Sequence, residues 1–564
     1  MGCAMRWIRR ARAVWLPLLA VGIVLACGAM LRLEDPYPHP RYRGAGHREP
    51  QRGGTLRLST AFDLGTLDPH NAGEVITGTV HTMLFDTLVY YAPGTAEPRG
   101  GLAKSWQVSG DGRVYTFRLR SGVRFHNGHP FTARDVKRSF ERMLDPERAA
   151  WWGASYFDGL EGREAFRAHR ARELLGVVVR DPLTVEFRLV DTDAAFPGRL
   201  SIAPIVPVDV VDALGSARFG QEPVGTGPFV IDSWEPGTRI VLRRNPNYFL
   251  PGLPRVDRVV FDLNVPVHIA TMRFQRGDVD LLINYMNGFS TADVAWFAEH
   301  PAWRSSLVST PVLSTNGLVM NTELPPWNDV HVRRALAFAL DREELERSLP
   351  GQVMRVGGPF MPGLPGYDPR LPNAQRLDLA RARHELGLAG FPHGLPDEQD
   401  LWFSGDPTYC LLIQAQLARI GIRIRLRPVD TAVLGTNTAR RRAVGLSLFG
   451  WVLDFPDPIS LLEPLFHSRG IAEEGATNSA FYSNLELDRL LDRARLEPDP
   501  DRRTDLYRQA ERIIVDDAPW AFTCYAVNLV MVQSYVREFR APLAGYIDLR
   551  NVWLDTPTRQ WEAP

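Results

Sequence analysis

The sequence predicts a mixed α/β protein with at least two hydrophobic cores, and three observations support this fold class. The chain has 564 residues, which at roughly 100–200 residues per domain is enough for two or three domains. Short alternating apolar runs, typical of strands, dominate the first half. Apolar positions at helical spacing become frequent in the second half, and no repeat of about 20–50 residues suggests a solenoid.

Strand signals are clearest in the first half of the chain. Residues 113–120 alternate between apolar and polar side chains, so Tyr115, Phe117 and Leu119 would share one buried face. A hairpin turn signal, Asp111-Gly112, comes directly before this run. Similar but shorter runs predict further strands at residues 55–60, 183–189, 239–243 and 257–263.

Helix signals accompany these strands. Thr132 stands where an N-cap residue is expected, and Asp135 takes the place that Glu usually has in a capping box. Residues 413–420 carry apolar side chains at helical spacing, and Gly421 follows as a C-terminal stop before another alternating run. Comparable periodicity predicts helices at residues 332–340 and 506–514.

The charge balance excludes one broad class of protein. Lys and Arg together number 65, as do Asp and Glu, so the formal net charge is zero. Only Lys104 and Lys137 are lysines. A nucleic-acid-binding protein would carry a basic excess, so no nucleic-acid partner is expected. The 14 Trp, 15 Tyr and 27 Phe fit either an aromatic core or an aromatic-lined cleft.

The first 31 residues have the pattern of an export leader. Four arginines between residues 6 and 12 precede an uncharged apolar segment, residues 13–31. Residues 24–27, Val-Leu-Ala-Cys, resemble a bacterial lipobox, in which Cys27 would be lipidated. Two alternatives are an uncleaved anchor, since this run can just span ~30 Å of hydrocarbon, and a soluble secreted form. All three place the body outside the cytoplasmic membrane.

The two cysteines of the body have apolar surroundings. Cys410 and Cys524 are not part of a C-x-x-C pair, so neither a zinc site nor a redox motif is expected. Buried free thiols are the favoured interpretation, and a disulfide between these two residues is the alternative.

Motifs of common enzymes and metal sites are missing from the sequence. There is no H-E-x-x-H, no P-loop and no G-x-S-x-G. Gly225-Thr226-Gly227 is followed by Pro228, which has no backbone N–H to offer a phosphate. His126 and His129 lie in a turn that provides no helical face for a metal. We therefore expect no catalytic residue, cofactor or metal ion, and a protein that is not an enzyme.

A series of long segments occurs in one fixed order along the chain. They are residues 102–109, 111–112, 115–120, 123–128, 132–136, 225–229, 244–248, 321–322, 328–335, 340–342, 450–451, 454–458 and 482–484, with Asp488. Together they closely resemble the signature of the family 5 extracellular solute-binding proteins, the peptide- and nickel-binding receptors of ABC importers. The resemblance extends from about residue 53 to about residue 540, and its specificity comes from the number and order of the segments.

The resemblance implies an α/β, two-lobed periplasmic-binding-protein-like fold with a hinge, an interlobe ligand cleft and an extra subdomain in lobe I. The implied boundaries are a leader at 1–31, an extended tether at 32–52, lobe I at 53–317 and 524–564, and lobe II at 318–523. It also implies a monomer tethered to the cytoplasmic membrane, which captures peptides in the periplasm and delivers them to the permease subunits of an ABC importer.

The implied ligand contacts centre on the block Gly-Trp-x-x-Asp at residues 450–454. In peptide-binding members of the family, the Asp of this block pairs with the α-ammonium of the ligand, and here that residue is Asp454. A desolvated ammonium needs such an anionic acceptor. Trp451 would form a flat apolar wall over a side chain. Asn321 is expected either to support the backbone or to contact the ligand.

Several alternatives remain open at this level. Asp454 could instead cap its own loop, and Asp457 is expected to be structural. Arg333 and Arg334 are expected on a helix surface or in interlobe ion pairs. The same fold could bind a nickel chelate, haem, a sugar or an opine, or serve as a membrane-anchored ligand sensor without transport. The sequence identifies neither the arginine that would bind a peptide carboxylate nor the role of residues 151–185.

Overall fold

The computed structural model describes residues 44–555, except for residues 72–74, 93, 150–151, 284–288, 350, 372–373, 406, 542 and 544–545. The predicted leader, the predicted lipidation site Cys27 and residues 32–43 of the predicted tether lie outside the described residues. Within the described residues, no helix combines the length and the apolar character needed to span a bilayer.

Strands and helices occur together along the whole body, as the predicted mixed α/β class requires. The strands are β1 (Thr55–Ser59), β2 (Val89–Tyr91), β3 (Pro98–Gly100), β4 (Ala103–Val108), β5 (Val114–Leu119), β6 (Val177–Asp181), β7 (Thr184–Arg188), β8 (Phe229–Glu235), β9 (Arg239–Arg244), β10 (Arg258–Asp262), β11 (Leu281–Ile283), β12 (Leu307–Pro311), β13 (Ser314–Met320), β14 (Val353–Arg355), β15 (Gln399–Phe403), β16 (Ile424–Pro428), β17 (Leu446–Val452), β18 (Trp520–Val532), β19 (Val536–Arg537) and β20 (Trp553–Leu554). The α-helices are α1 (Val75–Leu84), α2 (Ala133–Leu144), α3 (Arg163–Arg167), α4 (Phe196–Arg199), α5 (Val208–Leu214), α6 (Ser216–Phe219), α7 (Val267–Arg276), α8 (Thr291–Glu299), α9 (Val330–Ala339), α10 (Arg342–Ser348), α11 (Leu379–Leu388), α12 (Thr408–Ala418), α13 (Thr431–Thr438), α14 (Ile459–Phe466), α15 (Leu485–Leu496) and α16 (Pro500–Asp517).

One mixed sheet of twelve strands, counted over the described residues, connects the two halves of the molecule. Its order is β16-β15-β17-β13-β18-β11-β1-β10-β9-β8, and β12 and β14 also pair with β18. Strand β18 belongs to both halves: residues 520–524 pair with β13, and residues 527–531 pair with β12. The two chain segments that pass between the halves are therefore hydrogen-bonded to each other.

The change from one set of strand partners to the other occurs between β12 and β13. The Val312 N–H donates to the Ala526 carbonyl at 3.1 Å, and the Leu313 N–H donates to the Leu543 carbonyl at 2.6 Å. Strand β13 begins at Ser314 and pairs with β17 over its whole length. This changeover lies a few residues before the predicted lobe boundary at residue 318, and the exact boundaries stay predictions.

The extra subdomain of lobe I has its own hydrophobic core, drawn from residues 88–205, and a separate sheet in the order β4-β5-β7-β6. Helix α2 packs on it, and the ring of Phe140 meets that of Phe187 edge-on, with centroids 5.0 Å apart. The predicted cap is confirmed, since the Asp135 carboxylate accepts hydrogen bonds from the Thr132 N–H at 2.8 Å and hydroxyl at 2.9 Å. Lys104 on β4 is exposed, and Lys137 on α2 pairs with Glu173.

Two of the family-like segments, residues 225–229 and 244–248, meet around Asp86 inside lobe I. The buried Asp86 carboxylate accepts hydrogen bonds from the hydroxyls of Thr226 and Tyr248, each at 3.0 Å. Arg550, near the end of the described chain, donates to the Tyr248 hydroxyl at 3.1 Å. Burial raises the pKa of Asp86, and Arg550 offsets part of that rise. These signature residues hold the start of lobe I against its C-terminal return.

The glycine-rich turn beside this cluster is a packing feature. A Cβ on Gly225 would lie 1.9 Å from the Leu84 carbonyl oxygen, and one on Gly227 would lie 2.5 Å from the Leu84 carbonyl carbon. The His126 ring contacts the Gly225 N–H at 3.2 Å and the Gly227 carbonyl at 3.1 Å. Burial lowers the pKa of His126 to about 4. His126 thus packs neutral against this turn.

Two arginines expected on a helix surface or between lobes have another role. Arg333 donates to the Asp517 carbonyl at 3.0 Å, and Arg334 donates to the Asp516 carbonyl at 2.6 Å. Both lie on α9 and satisfy carbonyl groups at the C-terminal end of α16, where a helix has no internal donors left. They cap a helix inside lobe II, so the expectation of interlobe ion pairs is wrong.

The close approach at Gly225 gives a stability prediction. Gly225→Ala should lower the free energy of unfolding by about 3 kcal/mol, because the new methyl overlaps a backbone carbonyl that cannot turn away. Denaturant titration followed by circular dichroism measures the change. The control is Gly110→Ala, where no atom lies within 4 Å of the added Cβ. Equal stabilities of the two variants would contradict the packing role.

Candidate ligand site between the lobes

Asp454 lies where lobe II meets the subdomain of lobe I. It follows β17 and precedes α14, and its N–H donates to the Ser460 hydroxyl at 3.1 Å. Its carboxylate oxygen Oδ2 accepts a hydrogen bond from the Tyr156 hydroxyl. Tyr156 lies on a 3₁₀ turn, Trp152–Phe157, within the insert of unassigned role. The insert therefore brings a phenol to the residue that the sequence selects as the ligand anchor.

The electrostatic environment of Asp454 favours a cationic partner. Burial raises the pKa of Asp454 to about 7, while the hydrogen bond from Tyr156 lowers it by less. No Lys, Arg or His among the described residues contributes to its pKa. Asp454 is nevertheless only partly buried, so part of its surface stays accessible. A carboxylate in such a setting gains stability when a cation approaches it.

Ser460 fixes the Trp and the Asp of the predicted Gly-Trp-x-x-Asp block. Its carbonyl accepts a hydrogen bond from the Trp451 indole N–H at 3.1 Å, while its hydroxyl accepts the Asp454 N–H. Trp451 is partly buried at the end of β17. The structure therefore brings Trp451 and Asp454 together through the first turn of α14, which the sequence analysis did not identify.

An aromatic wall surrounds the same place. The rings of Tyr156 and Phe455 meet edge-on with centroids 5.7 Å apart. The Arg199 guanidinium lies 5.6 Å from the Tyr156 ring centroid and 5.8 Å from that of Phe455. Phe455 is fully buried. The contact between subdomain and lobe II is thus aromatic around the carboxylate, with one cation behind the rings.

Asn321 and Asp457 have partners within lobe II. The Asn321 side chain donates to the Val444 carbonyl at 3.2 Å and accepts from the Glu323 N–H at 3.1 Å. This supports the backbone role of Asn321, and its ligand contact stays a prediction. Asp457 accepts a hydrogen bond from the Tyr507 hydroxyl at 2.9 Å, in agreement with a structural role.

The cysteines of the body and the metal-ligating side chains are placed as follows in the described part of the chain. Cys410 and Cys524 are both buried and no disulfide joins them, in agreement with the interpretation that the sequence favours. No group of three or more His, Cys, Asp or Glu side chains among the described residues is arranged to hold a metal ion.

Two α/β lobes joined by hydrogen-bonded hinge strands, with a carboxylate presented at their contact, define a two-lobed solute-binding protein. Residues 97–473 match the family described as bacterial extracellular solute-binding proteins, family 5. The match covers more than half of the chain, so the chain belongs to this family. The family is one of substrate-binding proteins that act outside the cytoplasm.

Individual relatives cover nearly the whole chain. It is 28% identical over 528 residues to Di/tripeptide-binding protein 2 of Pseudomonas aeruginosa, covering 89% of this chain and 95% of that protein. It is 29% identical over 508 residues to Heme-binding protein A of Haemophilus influenzae, covering 85% and 89%. The periplasmic binding protein DppA from Helicobacter pylori, solved in complex with peptide STSA, superposes with a TM-score of 0.75 at 26% identity, covering 90% of this chain and 99% of that chain.

The raised pKa of Asp454 gives a pH prediction. Its ordinary pKa of 3.8 in the unfolded chain is below its folded pKa of about 7, so the folded state holds the extra proton between these values. Stability from this group is therefore lost as pH rises from about 4 to about 7, and the loss is complete once the folded carboxyl is ionised. When pH is raised from 5 to 8, the melting temperature of Asp454→Asn should fall by less than that of the parent protein. Identical shifts for the two proteins would contradict the assignment.

Proposed function

We propose that this protein is the extracytoplasmic receptor of an ABC importer, which captures peptides between its lobes and delivers them to the permease subunits. The observation that carries the proposal is the Asp454 carboxyl, which has a raised pKa and no cationic partner among the described residues. The α-ammonium of a peptide offers the charge and the N–H donors that such a carboxylate accepts. The relative named for di- and tripeptides supports the same ligand class.

Each predicted contact then has a physical task. Asp454 would keep its hydrogen bond from Tyr156 at Oδ2 and receive the ligand ammonium at Oδ1. Trp451, held by Ser460, would cover the side chain next to the ammonium. Asn321 would support the backbone directly after strand β13. Closing of the lobes about the hinge would remove water from these groups and strengthen the ion pair.

Haem is the second ligand to test, because one relative is named for haem binding and has a similar identity to this chain. The geometry around Asp454 favours a small cation over a large anionic macrocycle. Native mass spectrometry of the purified protein separates the two, since a bound haem adds a mass and a visible absorption that no short peptide has.

The predicted membrane attachment concerns the segment before the body. Part of the predicted tether is docked on lobe I: the Ala45 N–H donates to the Asp555 carbonyl at 2.8 Å, and the His47 ring contacts the Asp555 carboxylate at 2.8 Å. These contacts attach the described end of the predicted tether to lobe I. A monomer without enzymatic activity, held at the outer face of the cytoplasmic membrane by lipidated Cys27, is the form we propose.

Peptide binding should depend on Asp454 and on pH. Asp454→Asn should weaken binding of di- to pentapeptides at least about thirtyfold, because losing one partner of a desolvated ion pair costs about 2 kcal/mol or more. The affinity of the parent protein should increase as pH rises towards 7, by up to about tenfold per pH unit, because the ligand needs the ionised carboxylate. Isothermal titration calorimetry between pH 5 and pH 7.5 measures both effects.

Two controls sharpen this experiment. Asp457→Asn changes a carboxylate of the same loop that is held by Tyr507, and it should leave affinity within about threefold. N-acetylated peptides lack the ammonium and should bind the parent weakly. Unchanged affinity in Asp454→Asn, or equal binding of acetylated peptides, would refute the ammonium contact.

Membrane attachment through Cys27 is tested on the mature protein. Mass analysis should find a chain that begins at Cys27 and carries added lipid, and Cys27→Ser should release the protein from membranes or leave its leader uncleaved. A mature N-terminus before residue 27, or at a later residue without lipid, would identify one of the alternative forms and contradict lipidation.

A further inference from the structure

Four charged side chains join the subdomain to lobe II beside the Asp454 site. Arg199, on α4 of the subdomain, donates to Asp193 at 2.7 Å and reaches across to Glu463 of lobe II at 3.1 Å. Arg495 of lobe II lies 3.5 Å from Glu463 and 3.9 Å from Asp193. Each arginine therefore contacts a carboxylate from both sides of the interface, and the group has no net charge.

These groups are shielded from water. The side chains of Arg199 and Asp193 are 3% and 5% exposed, while those of Glu463 and Arg495 are 22% and 19% exposed. Burial alone would lower the pKa of Arg199, but Asp193 and Glu463 hold it above its ordinary value. Breaking one contact of a desolvated pair leaves a charge without its partner, which costs more than breaking an exposed pair.

A main-chain contact accompanies the charged group. The Ala194 N–H of the subdomain donates to the Arg495 carbonyl of lobe II at 3.0 Å. Glu463 lies one helical turn after Ser460, which positions both Asp454 and Trp451. The charged group therefore acts on α14, the short helix whose first turn positions the ligand anchor, without contacting Asp454 itself.

We propose that Arg199 and Glu463, supported by Asp193 and Arg495, form a latch that holds the subdomain against lobe II and thereby sets how long a captured ligand stays bound. The latch lowers the free energy of the closed arrangement independently of any ligand contact. A ligand that bridges the lobes then leaves more slowly, since opening must also break the latch. The effect on retention rests on the proposed function, whereas the closing effect does not.

The test follows hydrogen exchange of the full chain without added peptide. Glu463→Gln removes the charge of the bridging carboxylate at constant shape. Proteolytic fragments of the protein that cover residues 190–200 should then exchange about tenfold faster, because the Ala194 amide loses its partner more often. The control is Glu323→Gln, which removes an equally exposed carboxylate paired with Arg441 inside lobe II, and exchange at residues 190–200 should stay at the parent rate.

A second variant guards against an unfolded sample. Arg199→Gln breaks the latch from the subdomain side, and a double-mutant cycle with Glu463→Gln should show less than additive acceleration. Parent-like exchange in both single variants would overturn the latch. Faster exchange without any peptide binding would support the latch and refute the proposed ligand. Faster exchange with about tenfold faster peptide release, measured by stopped flow, would support both proposals.

Discussion

The architecture depends on the hydrogen bonding of one strand, β18, to strands of both lobes. The side-chain amide of Gln375 pairs with the main chain of β18. It donates to the Trp520 carbonyl and accepts from the Phe522 N–H, both at 2.9 Å. Buried Arg342 donates to the Phe522 carbonyl at 2.7 Å. The lobe II part of β18 is thereby fixed on several sides. Near residue 525 its partner changes from β13 to β12, and β14 pairs with residues 524–526 across this change.

This constraint explains how a single partly buried carboxyl can serve a two-lobed receptor. Asp454 is carried by lobe II, while Tyr156 and the aromatic contact come from the subdomain. Closure about the hinge strands would bring these groups together. The neutral overall charge adds no long-range preference, and we therefore propose that discrimination between ligands rests on these few desolvated groups.

Local chemistry made most of the fold predictable from sequence. The alternation around Phe117 located β5, and the Thr132 cap located the start of α2, because both patterns depend only on nearby residues. The family-like blocks located Asp454. The partner Tyr156 was not predictable, since it lies 298 positions from Asp454 in sequence and no periodicity reports such a contact. The ion pair between Arg199 and Glu463 joins residues 264 positions apart, so it was not predictable from the sequence for the same reason.

The two lysines of the subdomain have a practical consequence. Apart from the chain terminus, Lys104 and Lys137 are the only primary amines in a protein whose other basic side chains are guanidinium groups or imidazoles. Amine-reactive dyes and cross-linkers would therefore attach to the subdomain and leave lobe II unlabelled. Exposed Lys104 would react first, since Lys137 is paired with Glu173. A fluorophore placed there without any engineered residue would report how the subdomain moves while the protein works.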